Sequence, residues 1–319
     1  MKKSKSNLST KIINTTLFLL LSIIFYIGIG MIAYGLGIGH SYIVRQNVQK
    51  ANSRISIKSI ERAEKEKTSY DASKTESVSA SSLWKARKYS ANAIGRMSMP
   101  ELNIHNPIFA GYGDHNQNLS YGVVTTVNNR KMGDMNNYVL AGHYMGNYGP
   151  AILDNLHYAS KGDRIYVTNL KKIYVYSVTY KSYSVKPTQV DIENNIPGKS
   201  TITLITCSDF NVKKYGFGGH RTVVKGHLIA SMPATRKNLE LTELTDGKNK
   251  HKKKTKVVVN IPNKKNTSKS ITIKSKVKSS AKAKWYQNIT FNQLVVGFTI
   301  IWLIFVIYNV YSIWKLDKK

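Results

Sequence analysis

The chain has 319 residues, and its 48 lysines and arginines against 17 aspartates and glutamates give a formal net charge of +31 at pH 7. Its single cysteine, Cys207, excludes an intramolecular disulfide, so an oxidising compartment would offer this chain no covalent stabilisation. An unpaired thiol in an exported domain is also a candidate reactive group.

Two uncharged apolar stretches, residues 17–38 and 289–314, are each long enough to cross about 30 Å of hydrocarbon as a helix. The first is longer than the apolar region of about 7–15 residues in a signal peptide, and no clear cleavage site follows it. We therefore interpret the first stretch as a retained membrane anchor. Lysines lie on the outer flanks of the two stretches, at Lys2, Lys3, Lys5, Lys11, Lys315, Lys318 and Lys319.

The basic head before the first stretch predicts a cytoplasmic N-terminus, because cytoplasmic flanks of membrane helices are rich in lysine and arginine. Two crossings then return the C-terminus to the cytoplasm and leave residues of about 45–287 outside the cell membrane. Five lysines within residues 274–284 run against this orientation. The charge rule applies to short loops, whereas large domains are exported regardless of charge, so we expect a two-pass protein with an extracellular central part.

The segment after the first anchor is charged, favours helix, and contains the i,i+4 pair Glu61 and Lys65. Residues 71–82 are rich in serine, threonine and alanine, which is typical of a linker. We interpret residues 45–89 as a stalk that holds the next domain away from the membrane.

Residues 90–233 contain short β-like runs separated by turn residues, with one short helix predicted over residues 151–158. About eight strands at regular spacing predict a mainly β fold, a closed or nearly closed barrel. The predicted segments are a basic head with the first anchor (1–44), the stalk (45–89), the barrel (90–233), a basic disordered linker (234–284), and the second anchor with a basic tail (285–319).

The linker is rich in lysine, serine, threonine and asparagine, a composition that favours disorder. It is either a solvated spacer or, over residues 248–284, a strap that binds polyanions such as wall polymers or anionic lipids. Nucleic acid is not expected as a partner, because an exported chain would not normally meet it and no aromatic residues suited to base stacking alternate with these lysines.

A thiol and an imidazole lie at the ends of two predicted strands, and a guanidinium lies at the start of a third predicted strand. Cys207 ends the run 201–207, His143 follows the run 138–142, and Arg221 heads the run that follows Cys207. A lone cysteine is often only a small buried apolar residue, and a lone histidine is often structural. Arg221 is the kind of neighbour that lowers the pKa of a thiol. Ala141 and Thr206 flank the pair and are candidates to line a substrate groove, although both are also ordinary strand residues.

Three motifs, Leu140-Ala-Gly-His143, Thr203-Leu-Ile-Thr-Cys207 and Arg221-Thr-Val-Val-Lys225, together resemble the signature of the bacterial sortases, over residues of about 90–231. The resemblance implies an eight-stranded sortase barrel with one or two short helices, flanked here by two transmembrane helices. It implies a cysteine transpeptidase that cuts an LPXTG-like sorting signal between Thr and Gly and passes the acyl group to an amine of a peptidoglycan precursor. In that chemistry Cys207 is the nucleophile, His143 the general acid and base, and Arg221 a donor to the substrate or oxyanion; no metal or organic cofactor is required.

The chain departs from the housekeeping pattern of that family in its second, C-terminal anchor, which is more typical of pilin-polymerising members. Those members commonly carry a lid with an Asp-Pro-aromatic plug, but residues 46–93 contain no proline, so a housekeeping-type enzyme is expected. A glutamate pair before the His143 strand is missing, which argues against the calcium site of some members. The alternatives are a pilin-polymerising sortase, a hydrolytic cysteine peptidase and a non-catalytic wall-binding protein. The sequence around Cys207 shows no papain-like signature, which argues against the peptidase.

Overall fold

A computed structural model describes residues 8–35, 38–75, 79–145, 152–208, 218–246, 256–259, 269–272 and 291–315. The chain divides into two compact units. One unit consists of Met1–Tyr42 together with Trp285–Lys319, and the other consists of Ile43–Lys284.

The first unit contains two long apolar helices, α1 (Leu8–Gly35) and a C-terminal helix (Phe291–Lys315). Both are long and apolar enough to span a membrane, over Leu8–Ile32 and Val295–Lys315. The Tyr26 hydroxyl is 2.7 Å from Oγ1 of Thr299, and the Tyr26 ring centroid is 4.9 Å from that of Trp302. Most of the other large apolar side chains of these helices are exposed, which suits an apolar surrounding. The two predicted apolar helices are confirmed.

The second unit is built on a closed barrel of eight strands in the order β1-β2-β3-β4-β7-β8-β6-β5. The pairs β2–β3 and β4–β7 are parallel, and the other neighbouring pairs are antiparallel. This confirms the predicted mainly β barrel. The strands are β1 (Ala93–Met99), β2 (Ile104–Phe109), β3 (Val123–Thr125), β4 (Asn137–Ala141), β5 (Arg164–Thr168), β6 (Lys172–Val185), β7 (Thr201–Cys207) and β8 (Arg221–Pro233). The short helix predicted near residues 151–158 is a 3-10 helix over Asp154–Tyr158.

Both faces of the β4–β7–β8 sheet are covered, which explains why these strands are apolar on both sides. Leu140, Ile202 and Leu204 lie in the main core, which receives side chains from all eight strands. Ile205 and Val223 belong to a separate buried cluster with Val139 and Val185, on the opposite face. Side chains alternate between faces along a strand, so Cys207 shares the outer face with Ile205, and Arg221 shares it with Val223.

The segment between α1 and the barrel is not a stalk, and that interpretation is wrong. It forms α2 (Ile38–Asn52), α3 (Ile57–Ala63) and α4 (Ala80–Ala86). Ile43, Val44 and Leu83 are at most 5% exposed and belong to the main core. The stalk interpretation fails because the barrel buries a few apolar side chains of this segment, and these are too few to stand out among its polar and charged residues.

The expected disorder after the barrel is also wrong for residues 236–246. A fifth helix, α5 (Arg236–Leu241), follows β8, and Leu244 is 1% exposed in a cluster with Tyr166 and Met232. The Ser98 hydroxyl donates to the carbonyl of Thr242. Farther along, β9 (Lys256–Val259) pairs with β10 (Lys269–Thr272) in an antiparallel register. The rest of the 248–284 segment lies outside the described residues.

One buried arginine fastens both flanks of the barrel to β1. Arg96 is 8% exposed; its Nη2 donates to the carbonyl of Asn52 at the end of α2, at 2.9 Å, and its Nη1 donates to the carbonyl of Leu244, at 3.2 Å. Hydrogen bonds to a charged group are stronger than neutral ones. The folded unit built around the barrel therefore includes residues 43–246 and not only residues 90–233.

We expect residues 90–233 alone to be less stable than residues 43–246. The shorter fragment loses both acceptors of Arg96, each worth about 1.5–3 kcal/mol for a charged donor. It also loses the buried side chains of Ile43, Val44, Leu83 and Leu244, each worth about 1.5–3 kcal/mol. Urea unfolding of the two fragments should show a lower midpoint for the shorter one, or no cooperative transition. Equal midpoints would contradict the role we assign to the flanks.

Candidate active site

Strand register places the predicted site residues in one row across β4, β7 and β8. Ala141 pairs with Ile205 in the parallel β4–β7 ladder, and Cys207 pairs with Arg221 in the antiparallel β7–β8 ladder. His143 lies two residues after Ala141, as Cys207 lies two residues after Ile205. The ladder continues past the end of β4, because the amide of Gly142 donates to the carbonyl of Ile205 at 3.0 Å. The row is therefore His143, Cys207, Arg221, with the thiol in the middle.

The Cys207 thiol is half-buried at the end of β7. Burial raises its pKa, and the positive charge of Arg221 opposes that shift with a smaller effect. Arg221 therefore acts in the expected direction, but its effect on the thiol pKa is smaller than that of burial. The physical reason is that β7 ends among packed side chains, where the charged thiolate loses hydration. In the resting protein Cys207 is a neutral thiol at pH 7.

The His143 imidazole keeps some exposure at a cavity beside it. The protein atoms around it nevertheless lower its pKa to about 4, through loss of hydration of the charged form. His143 is therefore neutral at pH 7. Burial thus favours the uncharged forms of both His143 and Cys207, and the resting pair consists of a thiol and a neutral imidazole.

Arg221 is held in place by backbone carbonyls next to it. Its Nη1 donates to the carbonyl of Gly218 at 2.8 Å and to that of His220 at 3.2 Å. The His220 carbonyl also accepts from the amide of Ser208 at 3.1 Å, which extends the β7–β8 ladder one step past Cys207. The guanidinium is thereby fixed relative to the thiol. Residues 209–217, between these strands, lie outside the described residues.

The two predicted lining residues differ in their placement. Ala141 is half-buried against the outer cluster, on the face that carries Cys207. Thr206 is 3% exposed, and its hydroxyl donates to the carbonyl of Gly142 at 2.8 Å. This bond supports the backbone immediately before His143, so the Thr206 side chain helps to position the histidine, and its role in a substrate groove stays a prediction.

Sequence reasoning missed a cavity of about 530 Å³ whose lining includes His143. Its other walls come from α4 and from the loop between β2 and β3, including Lys85, Lys88 and Asp114. These residues are far apart in sequence and follow no shared motif. Only the docking of the supposed stalk against the barrel brings them beside the histidine.

Comparison with known proteins adds an independent result. The model of the sortase domain family matches residues 97–229. A sortase A from Streptococcus agalactiae serotype III is 37% identical over 201 residues, covering 61% of this chain and 80% of that protein. A sortase A from Bacillus anthracis is 33% identical over 171 residues, covering 53% of this chain and 75% of that protein. A solved structure of Listeria monocytogenes sortase A has 28% identity and a TM-score of 0.43, covering 49% of this chain and 99% of the other. The chain belongs to the sortase family and is a sortase transpeptidase.

Proposed function

We propose that this sortase cleaves an LPXTG-like sorting signal between Thr and Gly and transfers the surface protein to an amine of a cell-wall precursor. The observation that carries the proposal is the row in which Cys207 lies between His143 and Arg221. The similarity to two proteins named sortase A supports a housekeeping-type enzyme over a pilin-polymerising one.

The first half of the reaction forms a thioester, which divides a difficult exchange between two amides into two steps. When substrate binds, the Cys207 proton passes to His143 and the thiolate attacks the threonine carbonyl. An S–C bond forms, and the carbonyl oxygen becomes an oxyanion. The protonated His143 then gives its proton to the departing glycine nitrogen as the C–N bond breaks. We assign the Nε and Nη2 donors of Arg221 to the oxyanion or to a neighbouring substrate carbonyl.

The second half reverses the roles. An incoming amine nitrogen attacks the thioester, a new C–N bond forms, and the S–C bond breaks. His143 accepts the proton that the attacking nitrogen releases, and that proton returns to the Cys207 sulfur. A neutral imidazole suits this step, because a histidine that is already protonated has no free nitrogen to accept the proton.

Location is part of the proposal. The N- and C-terminal apolar helices anchor the enzyme in the cell membrane as a two-pass protein with both termini in the cytoplasm, and the catalytic unit lies outside. The basic head before α1 supports this orientation. The lysines of residues 248–284 suit contact with anionic wall polymers or anionic lipids.

The function is tested with the full-length protein in detergent micelles, an LPXTG-containing peptide and triglycine. Mass spectrometry should detect the peptide cut after Thr, a thioester of the Thr-ending fragment on Cys207, and the ligated product. A peptide with its Thr-Gly bond replaced by Thr-Pro serves as the control, because proline gives a tertiary amide with no N–H. Failure to detect either the thioester or the ligated product would overturn the proposed function.

We expect Arg221→Lys to lose most of the activity although the charge is kept. Lysine is a compact point charge, whereas the guanidinium holds two backbone carbonyls with Nη1 and still presents donors in fixed directions. Losing one such donor to an oxyanion costs on the order of 10²–10³ in rate. Acylation rates of Arg221→Lys and Arg221→Ala are compared by mass spectrometry. A Lys variant close to wild type would show that only the charge of Arg221 is needed.

A further inference from the structure

The cavity beside His143 lies between two parts of the chain that are distant in sequence. Lys85, Lys88 and Tyr89 come from α4 and the residues after it, while Asp114 and His115 come from the loop between β2 and β3. Neither Cys207 nor Arg221 belongs to the described part of its lining. The cavity thus reaches the acid–base residue without passing the nucleophile or the arginine.

The walls of this cavity are held together by contacts between segments that are distant in sequence. The rings of Tyr89 and His115 stack with centroids 3.9 Å apart. The side chain of Gln117 donates to the carbonyl of Ser90 at 3.0 Å. Deeper, the buried amide of Asn47 donates to the carbonyl of Ser120 at 3.3 Å. These contacts fix the two walls of the cavity relative to each other.

Strand order gives the cavity its position relative to the reacting atoms. The barrel runs β3-β4-β7-β8 at this point, so His143 on the β4 side and Arg221 on β8 lie on opposite sides of Cys207. A substrate whose carbonyl is held by Arg221 occupies the β8 side of the thiol. The cavity meets His143 on the other side of the thiol, so a second molecule bound in the cavity would approach Cys207 past His143.

We propose that this cavity is the binding site for the incoming amine, which takes the acyl group from Cys207. The proposal rests on the proposed function and adds the residues that bind the second substrate. The amine nitrogen reaches the thioester past His143, which accepts the proton released as the C–N bond forms and the S–C bond breaks. Asp114 is an exposed carboxylate in the cavity wall, and it attracts the amine, which is largely an ammonium ion at neutral pH. The bound ammonium ion first loses one proton to solvent, and the neutral amine then attacks, so His143 accepts only the second proton.

The charges of the wall also indicate what the rest of the ligand carries. Lys85 and Lys88 are exposed cations contributed by α4 and the residues after it, whereas Asp114 comes from the loop between β2 and β3. The hydroxyl oxygen of Thr75, in the same wall, is buried and has no hydrogen-bond partner among the residues that the structure describes. A ligand with an amine at one end and a carboxylate farther along would satisfy both sets of charges. The class is therefore a short peptide amine with at least one carboxylate.

The test uses the full-length protein in detergent micelles with the LPXTG-containing peptide and two acceptors, triglycine and triglycine amide. The two acceptors share the amine, and only triglycine has a carboxylate. The measured quantity is the ratio of aminolysis to hydrolysis of the same thioester, as a function of acceptor concentration. This ratio does not depend on how fast the thioester forms.

We expect Asp114→Asn to raise the KM of both acceptors about threefold to fivefold, the size typical of an exposed charge pair. The double variant Lys85→Glu/Lys88→Glu should raise the KM of triglycine on the order of tenfold and that of triglycine amide much less. Asp134→Asn and Lys58→Glu/Lys161→Glu, exposed residues outside this cavity, are the matched controls and should leave the ratio unchanged.

The two possible failures are distinct. A wild-type protein that forms no thioester, or transfers it to neither acceptor, overturns the proposed function. The assignment of the cavity is overturned if the wild-type protein transfers the acyl group but Asp114→Asn and the double lysine variant have the same acceptor KM values as wild type. Melting temperatures of all variants are compared with wild type, and a variant that melts lower is replaced by Asp114→Ser or Lys85→Gln/Lys88→Gln before the KM values are judged.

Discussion

Cys207→Ala is expected to abolish both cleavage of the sorting peptide and its ligation to an amine. The chain has no other cysteine, so the thioester cannot form elsewhere. Loss of a catalytic nucleophile in a comparable serine enzyme costs on the order of 10⁶ in kcat. The fold should be unaffected, because the thiol is only half-buried and alanine fills most of its volume.

The measurement is turnover of the LPXTG-containing peptide by the full-length protein, monitored by mass spectrometry. Ser208→Ala, the adjacent position, is the matched control; its hydroxyl donates to the carbonyl of Tyr183 at 2.7 Å and takes no part in the proposed chemistry. Residual turnover of the Cys207 variant within tenfold of wild type would remove the thiol from the mechanism.

The second large effect is expected for His143→Ala, with a loss of about 10²–10⁴ in rate. In the proposed mechanism His143 handles a proton in both halves of the reaction, so acylation and transfer should both slow. His227→Ala is a matched control, because His227 lies within β8 and pairs with Thr201, away from the row. An essential His227 and a dispensable His143 would contradict the register argument.

The pH profile gives a sharper test of the same pair. Burial lowers the pKa of His143 to about 4 and raises that of Cys207, so one proton is shared between them over a wide range. The fraction with a thiolate and an imidazolium does not change with pH inside that range. We expect kcat/KM to be flat between about pH 5 and pH 8, to fall toward pH 4 as both groups become protonated, and to fall again at high pH as the pair loses its proton.

In His143→Ala the remaining thiol must ionise alone. Its residual rate should rise about tenfold per pH unit below the thiol pKa, because the thiolate fraction does so. A wild-type profile with a midpoint near 6.5, the ordinary histidine value, would show that burial does not set the state of His143.

The barrel and the row of site residues were predictable because their signals are local. Alternating apolar residues predict β7, and Cys207 and His143 stand at the ends of recognisable strands. The parallel pairing that aligns them follows from the fold of the family that the motifs resemble. The direction of the thiol pKa was not predictable, since it depends on how densely Cys207 is packed, and no pattern in the sequence encodes that.

The flanks escaped prediction for a different reason. Ile43, Val44 and Leu83 are a few apolar residues within a largely polar segment, and their burial depends on a partner surface formed by distant strands. Arg96 looks like any charged strand residue until its two carbonyl acceptors, 44 residues before it and 148 residues after it, are in place. Long-range contacts of this kind leave no periodic trace in the sequence.

The two hydrogen bonds of Arg96 also place the attachment of both flanks far from the candidate active site. Asn52 and Leu244 are bound to β1 through this one side chain. In the closed barrel three strands separate β1 from β7 in either direction, so this attachment lies diametrically opposite the strand that carries Cys207. A substitution at Arg96 would therefore loosen both flanks at once, on the side of the barrel away from the row of His143, Cys207 and Arg221.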